Sequence, residues 1–203
     1  MAQSPRLPAP LLAFRISIAD NVPSGKSPPA RIAPPSATVS RKGPTMATID
    51  KAVEIAAQAH AGVKDKQGQP YLLHPIRVMM GVSGEAAQIV AVLHDVVEDT
   101  PLTFDEVAAV GFSDEVLEAL RLVTHEKEVP YADYVIACKA NPIARQVKMS
   151  DLRDNSSLSR LLLRPDRLVS DSQRMQKYLL SYRFLQDELS EADYCRLMVD
   201  LKA

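Results

Sequence analysis

The stretch VLHDVVEDT, residues 92–100, places one histidine and three carboxylates at the end of an otherwise apolar segment. Apolar residues in and before it recur at helical spacing, which predicts a helix over residues 85–99. The polar residues of the stretch are His94, Asp95, Glu98 and Asp99. At 3.6 residues per turn, His94 and Glu98 would share one face of the helix. Asp95 and Asp99 would share the neighbouring face.

Three acids at the C-terminal end of one helix are electrostatically unfavourable. They repel one another, and they lie at the negative end of the helix dipole. A bound cation would neutralise them, whereas the alternative is a polar helix end that simply faces water. We favour a divalent metal ion, because the solvated alternative leaves the unfavourable charge arrangement without compensation.

The composition is that of a globular protein and excludes several classes. Among 203 residues, 46% are hydrophobic and 24% are charged, and the net charge of -1 gives no general attraction to nucleic acid or acidic membranes. No apolar run is long enough to span a bilayer. The two cysteines, Cys138 and Cys195, show no metal-ligand spacing and fit a reducing cytoplasm. Neither nucleic acid nor a membrane is therefore expected as a partner, and the oligomeric state is left open.

Residues 1–45 differ from the rest of the chain. They contain nine of the fifteen prolines, six lysines or arginines and a single acid, Asp20. Such a segment cannot bury enough apolar surface to fold, so we expect a disordered Pro/Arg-rich N-terminal extension. A transit peptide is the alternative, but the prolines would break its amphipathic helix. We expect the folded domain to occupy residues 46–203, with Met46 as a plausible start.

After Met46 the patterns are helical and no convincing strand alternation is present. Several segments carry the capping and proline signals that begin helices. The sequence predicts an all-α, orthogonally packed helical domain. The predicted starts and spans are Ile49 to Gly62, the His74-Pro75 pair, the capping box of Thr103 and Glu106, Ser113, the Asn141-Pro142 pair, Asp166 to Leu189, and Ser190.

Two further segments supply candidate metal ligands. His74 lies at a loop-to-helix corner in GQPYLLHPIRV, residues 68–78, and Asp151 lies in VKMSDLRDN, residues 147–155. Each is unremarkable alone: a histidine often caps a helix, and the second segment could be a charged surface helix. Together with His94 and Asp95 they make two imidazoles and two carboxylates. That set suits Mn²⁺, iron or another octahedral metal with open positions better than a closed zinc site.

The remaining polar residues of these regions receive weaker predictions. Asn155 lies four positions after Asp151, on the same helical face. His60 faces the apolar side of the first helix, which predicts a satisfied core histidine or a residue that supports a ligand. His125 falls in the polar stretch THEKEVP, where we expect it to be solvated.

The three segments, in this order, resemble those of the HD-domain metal-dependent phosphohydrolases. More narrowly, they are similar to the hydrolase domain of the RelA/SpoT alarmone enzymes and to the small alarmone hydrolases, over roughly residues 46–189. The resemblance implies an all-α fold and Mn²⁺-dependent removal of the 3′-pyrophosphate of ppGpp or pppGpp. By position it implies metal ligands His74, His94, Asp95 and Asp151, the catalytic acids Glu98 and Asp99, and a nucleotide contact from Asn155.

The chain departs from this family at one position. Alarmone hydrolases usually place an arginine that packs on the guanine where this chain has Asp65. Lys64 and Lys66 flank it and, with Arg153, are expected to offset phosphate charge. The expected ligand is therefore a small nucleotide, with weakened selection for guanine. Two alternatives remain: hydrolysis of another nucleotide such as NADPH or a nucleoside phosphate, and a catalytically silent domain that senses a nucleotide.

Overall fold

The computed structural model describes residues 46–160 and 164–201, so the predicted extension over residues 1–45 lies outside the described residues. The described part is all helical, with one isolated bridge between Lys64 and Pro70 as its only β-type pairing. The all-α prediction is confirmed. Its helices are α1 (Ile49–Ala59), α2 (Leu73–Met80), α3 (Glu85–Leu93), α4 (Val96–Asp99), α5 (Phe104–Ala108), α6 (Asp114–Val123), α7 (Tyr131–Ala140), α8 (Pro142–Asn155), α9 (Leu168–Leu185) and α10 (Glu191–Asp200), with a 3₁₀ turn at Pro165–Arg167.

Helix α3 is the centre of the fold. It packs against α1, α2, α6 and α8, and its last five residues, Ile89 to Leu93, are buried. A helix that is surrounded on several sides needs apolar residues over most of its circumference, which explains why this segment has so little polar character. The C-terminal end of α3 delivers His94 and Asp95 into the interior of the domain.

The predicted helix over residues 85–99 is wrong in one respect: it is broken where the polar residues begin. Helix α3 ends at Leu93, and the short α4 begins only at Val96. The ring Nδ1 of the buried His94 lies 2.7 Å from the carbonyl oxygen of Ala91, the group that would accept from Asp95 in an uninterrupted helix. The His94 ring thus contacts the carbonyl oxygen that would accept the next backbone hydrogen bond of the helix. His94 and Glu98 therefore do not lie on one continuous helix.

The predicted helix starts are confirmed where a side chain caps the backbone. Thr103 and Glu106 form the complete capping box, and Ser113, Asn141 and Ser190 each accept from backbone N–H groups of the following turn. The predicted helix from Asp166 to Leu189 is shorter in the structure, because the chain first makes the 3₁₀ turn and α9 then ends at Leu185.

A close contact between α2 and α8 fixes the two helices that face each other across the site. A methyl group at Gly81 would clash with Ser150 Oγ, which donates a hydrogen bond to the Val78 carbonyl at 2.9 Å. Glycine at this position therefore allows the end of α2 to approach α8 closely. The helices of the described residues include none long and apolar enough to cross a membrane.

Candidate metal centre

The structure brings the four predicted ligands together, although they come from three parts of the chain. His74 lies on α2, His94 and Asp95 lie between α3 and α4, and Asp151 lies on α8. Donor atoms of the first three lie within 4.8 Å of one another. Asp151 Oδ1 completes the group at 3.3 Å from His74 Nε2 and 3.7 Å from His94 Nε2. Their role as ligands stays a prediction that this geometry permits.

The donor set fits a cation because one of its nitrogens has no hydrogen-bond partner. His94 is 4% exposed, and its Nε2 is buried without a hydrogen bond in the described part of the chain, although Asp95 Oδ1 lies 3.1 Å away. A buried polar atom left without a partner costs about 1–3 kcal/mol. A metal ion bound between His94, His74 and the two carboxylates would satisfy that nitrogen.

The pKa values of these groups show how strongly negative the centre is. Burial by itself lowers the pKa of His94, yet the Asp95 and Asp151 carboxylates raise it well above its ordinary value. Burial likewise raises the pKa of Asp95, but His94 and His74 lower it to about 2. The protons on the imidazoles thus compensate the carboxylates, which is the task that a divalent cation performs in a metal centre.

A further set of side chains contacts the predicted ligands. Lys148 Nζ donates to Asp151 Oδ2 at 2.8 Å, and Asn155 Nδ2 donates to Asp151 Oδ1 at 2.6 Å. The Tyr71 hydroxyl lies 2.7 Å from Asp95 Oδ2 and 3.0 Å from Asp99 Oδ2. Sequence reasoning did not identify Tyr71 as a partner of the acids.

Asp154 is the most important residue that sequence reasoning missed. Its Oδ2 lies 2.6 Å from His74 Nδ1, and its carboxylate is also bound by Arg77 and Arg160. The signal was present, because Asp154 follows Asp151 by three positions and Arg77 follows His74 by three, which places each pair on one helical face. What the sequence lacked was any indication that these two faces meet.

The predicted catalytic acids, Glu98 and Asp99, lie beside the ligands on α4, and both are exposed. Partial burial of its carboxyl group raises the pKa of Glu98, and the backbone N–H of His125 opposes this by donating to Oε2 at 3.1 Å.

His125 is not simply solvated, so the prediction of a solvated histidine at this position is wrong. Its ring is half-buried, lies 4.6 Å from the ring of Tyr134, and bonds the Val129 carbonyl through Nε2 at 2.9 Å.

A cavity of about 490 Å³ opens beside the acids. Asp99, Asn155 and the aromatic rings of Tyr71 and Tyr178 line it, together with His60, whose Nε2 is buried without a partner in the described residues. His60 is buried, as predicted for a core histidine, and its predicted alternative role in support of a ligand stays a prediction. The cationic side chains of the cavity are Lys64, Lys66, Arg160 and Arg174.

Arg153 does not belong to this set. It was predicted to offset substrate charge, but its guanidinium donates to the Gly81 carbonyl at 3.1 Å, and it lines a different groove on α8 and α9. The reason is helical geometry: Arg153 lies two positions after Asp151, which turns it to roughly the opposite side of α8. The cations of the cavity instead come from the loop before α2 and from the chain after α8.

Asp65 has a structural task in the loop between α1 and α2. Its Oδ1 accepts hydrogen bonds from the backbone N–H groups of Gln67 and Gln69, both at 2.9 Å. The side-chain amide of Gln67 then donates to the Ser159 carbonyl at 2.7 Å, which ties the loop to the segment after α8. The carboxylate that replaces the family's usual arginine is therefore engaged with the loop backbone.

Comparison with known proteins gives relatives that are named guanosine-3′,5′-bis(diphosphate) 3′-pyrophosphohydrolases or GTP pyrophosphokinases, although no protein-family model matches. The human guanosine-3′,5′-bis(diphosphate) 3′-pyrophosphohydrolase MESH1 is 35% identical over 122 residues, which is 54% of this chain and 68% of that protein. The Aquifex aeolicus enzyme of the same activity is 32% identical over 120 residues, 53% of this chain and 17% of the relative. A Myxococcus xanthus GTP pyrophosphokinase is 35% identical over 96 residues, covering 45% of this chain and 12% of its own length. A solved structure, described as a metazoan ortholog of SpoT that hydrolyzes ppGpp, has a TM-score of 0.47 at 23% identity and covers 69% of this chain and 94% of its own.

Proposed function

We propose, from the premise that this chain belongs to the family of guanosine-3′,5′-bis(diphosphate) 3′-pyrophosphohydrolases, that it removes the 3′-pyrophosphate of ppGpp or pppGpp to leave GDP or GTP. The observation that carries this proposal is the convergence of His74, His94, Asp95 and Asp151 beside a cavity lined by cations. The chain spans less than a fifth of the first relatives that it matches, so the activity is proposed for this chain on its own residues.

The four converging side chains would hold one Mn²⁺ ion. Their mixed nitrogen and oxygen donors suit a metal of octahedral preference. When bound, such an ion acts as a Lewis acid toward a phosphoryl oxygen and lowers the pKa of a bound water. The protein's own contribution is to keep the two imidazoles and two carboxylates facing each other in a buried site.

Glu98 and Asp99 are proposed as the groups that orient the attacking water and accept its proton. Both lie next to the centre, and neither belongs to the group of buried donor atoms. The raised pKa of Glu98 makes its carboxylate a better proton acceptor than an ordinary glutamate. The backbone N–H of His125 holds that carboxylate in place.

The cavity provides the binding site for the nucleotide. Lys64 and Lys66 at its exposed edge, with Arg160 and Arg174 deeper along α9 and the chain before it, are suited to phosphate groups. Asn155 lines the same cavity and remains the candidate nucleotide contact.

Cys138 and Cys195 are both free thiols, which supports residence in the reducing cytoplasm.

Base selection is proposed to be weaker than in relatives that stack an arginine on guanine. Asp65 cannot provide that stacking, which is worth roughly 1–3 kcal/mol per base on nucleic-acid platforms. Its absence corresponds to a KM for ppGpp raised about ten- to a hundred-fold if nothing else holds the base. NADPH or a nucleoside phosphate is therefore the alternative substrate.

A turnover screen tests the proposal. The full chain is incubated with Mn²⁺ and with ppGpp, pppGpp, NADPH or simple nucleotides, and the products are identified. Release of pyrophosphate from ppGpp supports the proposal, and hydrolysis of another nucleotide in preference to ppGpp would replace it. Glu98→Gln and Asp99→Asn serve as matched variants: each should keep the metal and lose about 10²–10⁴-fold in turnover. Tight binding of ppGpp without any turnover would identify a sensor.

A further inference from the structure

The two histidines of the centre are oriented by different means. His94 is fixed by the backbone, because its Nδ1 lies 2.7 Å from the Ala91 carbonyl of its own helix. His74 has no such backbone partner in the described hydrogen bonds. Its Nδ1 instead lies 2.6 Å from Oδ2 of Asp154, a residue 80 positions away on α8. The orientation of His74 therefore depends on a side chain from another helix.

Asp154 is itself firmly held. Arg77 approaches it with two nitrogens, Nε at 2.6 Å from Oδ1 and Nη2 at 3.2 Å from Oδ2, and the guanidinium of Arg160 contacts Oδ2. The side chains of His74, Arg77 and Arg160 thus surround the Asp154 carboxylate, and the two guanidinium groups favour its ionised form. Asp154 is a carboxylate whose position is fixed by three side chains.

The hydrogen-bond roles follow from the chemistry of the three groups. A carboxylate can only accept, so the Nδ1 of His74 carries the proton and donates it to Asp154. The Arg160 nitrogen that lies 2.6 Å from the same Nδ1 cannot donate to a protonated ring nitrogen, so its hydrogen bond goes to Asp154. With one proton fixed on Nδ1, Nε2 is the ring nitrogen that faces Asp95 and Asp151, and a cation bound between them would take the place of its proton.

We propose that Asp154, clamped by Arg77 and Arg160, is the positioning residue that sets the tautomer and orientation of His74 and thereby the divalent-cation affinity of the centre. The inference rests on the proposed function, because it assumes that the four converging side chains bind a metal. Partners of this kind behind a ligand typically change metal affinity by 10–100-fold when they are removed.

The test measures metal binding without any nucleotide. Binding of Mn²⁺ alone is titrated by calorimetry, and the absorption spectrum of the Co²⁺ form reports the ligand geometry. Asp154→Ala should weaken Mn²⁺ binding about 10–100-fold and alter the Co²⁺ spectrum. Asp154→Asn, whose amide oxygen can still accept a hydrogen bond from His74 Nδ1, should lose less of the Mn²⁺ affinity than Asp154→Ala. Turnover should fall at limiting Mn²⁺ and recover at saturating Mn²⁺.

Two further variants keep the result interpretable. Arg77→Met leaves Asp154 in place but removes its clamp, so it gives a second measurement if Asp154→Ala fails to fold, and it should also weaken Mn²⁺ binding. Asp133→Asn removes an exposed acid of α7 and should bind Mn²⁺ as the wild type does. Folded Asp154→Ala and Arg77→Met proteins with wild-type Mn²⁺ affinity would overturn the inference.

The outcomes also separate this inference from the proposed function. If the wild type hydrolyses ppGpp while the variants keep full Mn²⁺ affinity, the function stands and the positioning role is wrong. If Mn²⁺ affinity falls in the variants but the wild type does not hydrolyse ppGpp, the positioning role stands and the substrate is wrong. A wild type that binds no divalent cation overturns both.

Discussion

Replacing Lys148 by methionine should destabilise the metal-free protein far more than the metal-bound one. The Lys148 side chain is 12% exposed, and its Nζ lies 2.8 Å from Oδ2 of Asp151, which is buried. At that distance two unit charges attract by about 6 kcal/mol at an effective dielectric constant of roughly 20. Desolvation offsets part of this attraction, and removal of one partner from a buried pair usually costs about 3–5 kcal/mol.

The sign of the metal effect follows from the charge left behind. Burial raises the pKa of Asp151, but Lys148, His74 and His94 together keep it well below its ordinary value. Without the Lys148 ammonium group, the negative charge of the Asp151 carboxylate is only partly balanced. A bound cation would replace part of the missing positive charge. Lys148→Met should therefore lose about 3–5 kcal/mol in the free energy of unfolding in EDTA, and clearly less in saturating Mn²⁺.

Urea denaturation of wild type and variant, each in EDTA and in Mn²⁺, measures these four values. Lys51→Met is the matched control, because Lys51 and Glu54 form a pair of the same three-residue spacing at 2.9 Å on an exposed face. That exposed pair should contribute little, with or without metal. The reasoning would be refuted if Lys148→Met were as mild as the control in EDTA, or if its loss were the same in both media.

Three further predictions concern the packing, the acids and the N-terminal region. Gly81→Ala should lower the free energy of unfolding by about 1–3 kcal/mol, because its methyl group meets Ser150. In thermal melts, the double variant Gly81→Ala/Ser150→Ala should recover part of the lost stability. No recovery would place the strain elsewhere. His125→Ala should loosen the backbone N–H that stabilises the Glu98 carboxylate, and so raise the pKa of Glu98. Since the carboxylate is the active form, the acidic limb of the pH profile of kcat/KM should move to higher pH. A limb that does not move contradicts this role of His125. A protein that starts at Met46 should keep its melting temperature and turnover, whereas a marked drop in melting temperature would show that the preceding residues pack on the domain.

Helix starts and candidate ligands could be predicted from the sequence because their determinants are local. A cap such as Ser113 or Asn141 acts on N–H groups within three residues, so its effect is visible in a short window. The break after Leu93 could not be predicted in this way. It depends on the burial of His94 and on the ring contact with the Ala91 carbonyl, which apolar periodicity does not encode.

Pairings between helices were the second kind of information missing from the sequence. Arg77 and Asp154 are 77 positions apart, and they meet because α2 approaches α8 closely at Gly81. The same geometry turns Arg153 away from the cavity while it directs Asp154 to His74. A single sequence shows an acidic cluster near residue 151, but only the packing decides which members of the cluster face the centre.

Asp65 shows why a departure from a family pattern needs the structure for its interpretation. From the sequence it is a lost stacking residue, and Asp65→Arg should restore a contact to guanine. In the structure its carboxylate caps the backbone of Gln67 and Gln69, so the same substitution also removes two hydrogen bonds from the loop that carries Lys64 and Lys66. A substrate that lacks guanine reports the loop effect alone. The ratio of kcat/KM for ppGpp to that for such a substrate should therefore rise in Asp65→Arg, even if both values fall, and an unchanged or lower ratio would mean that another residue of the cavity selects the base.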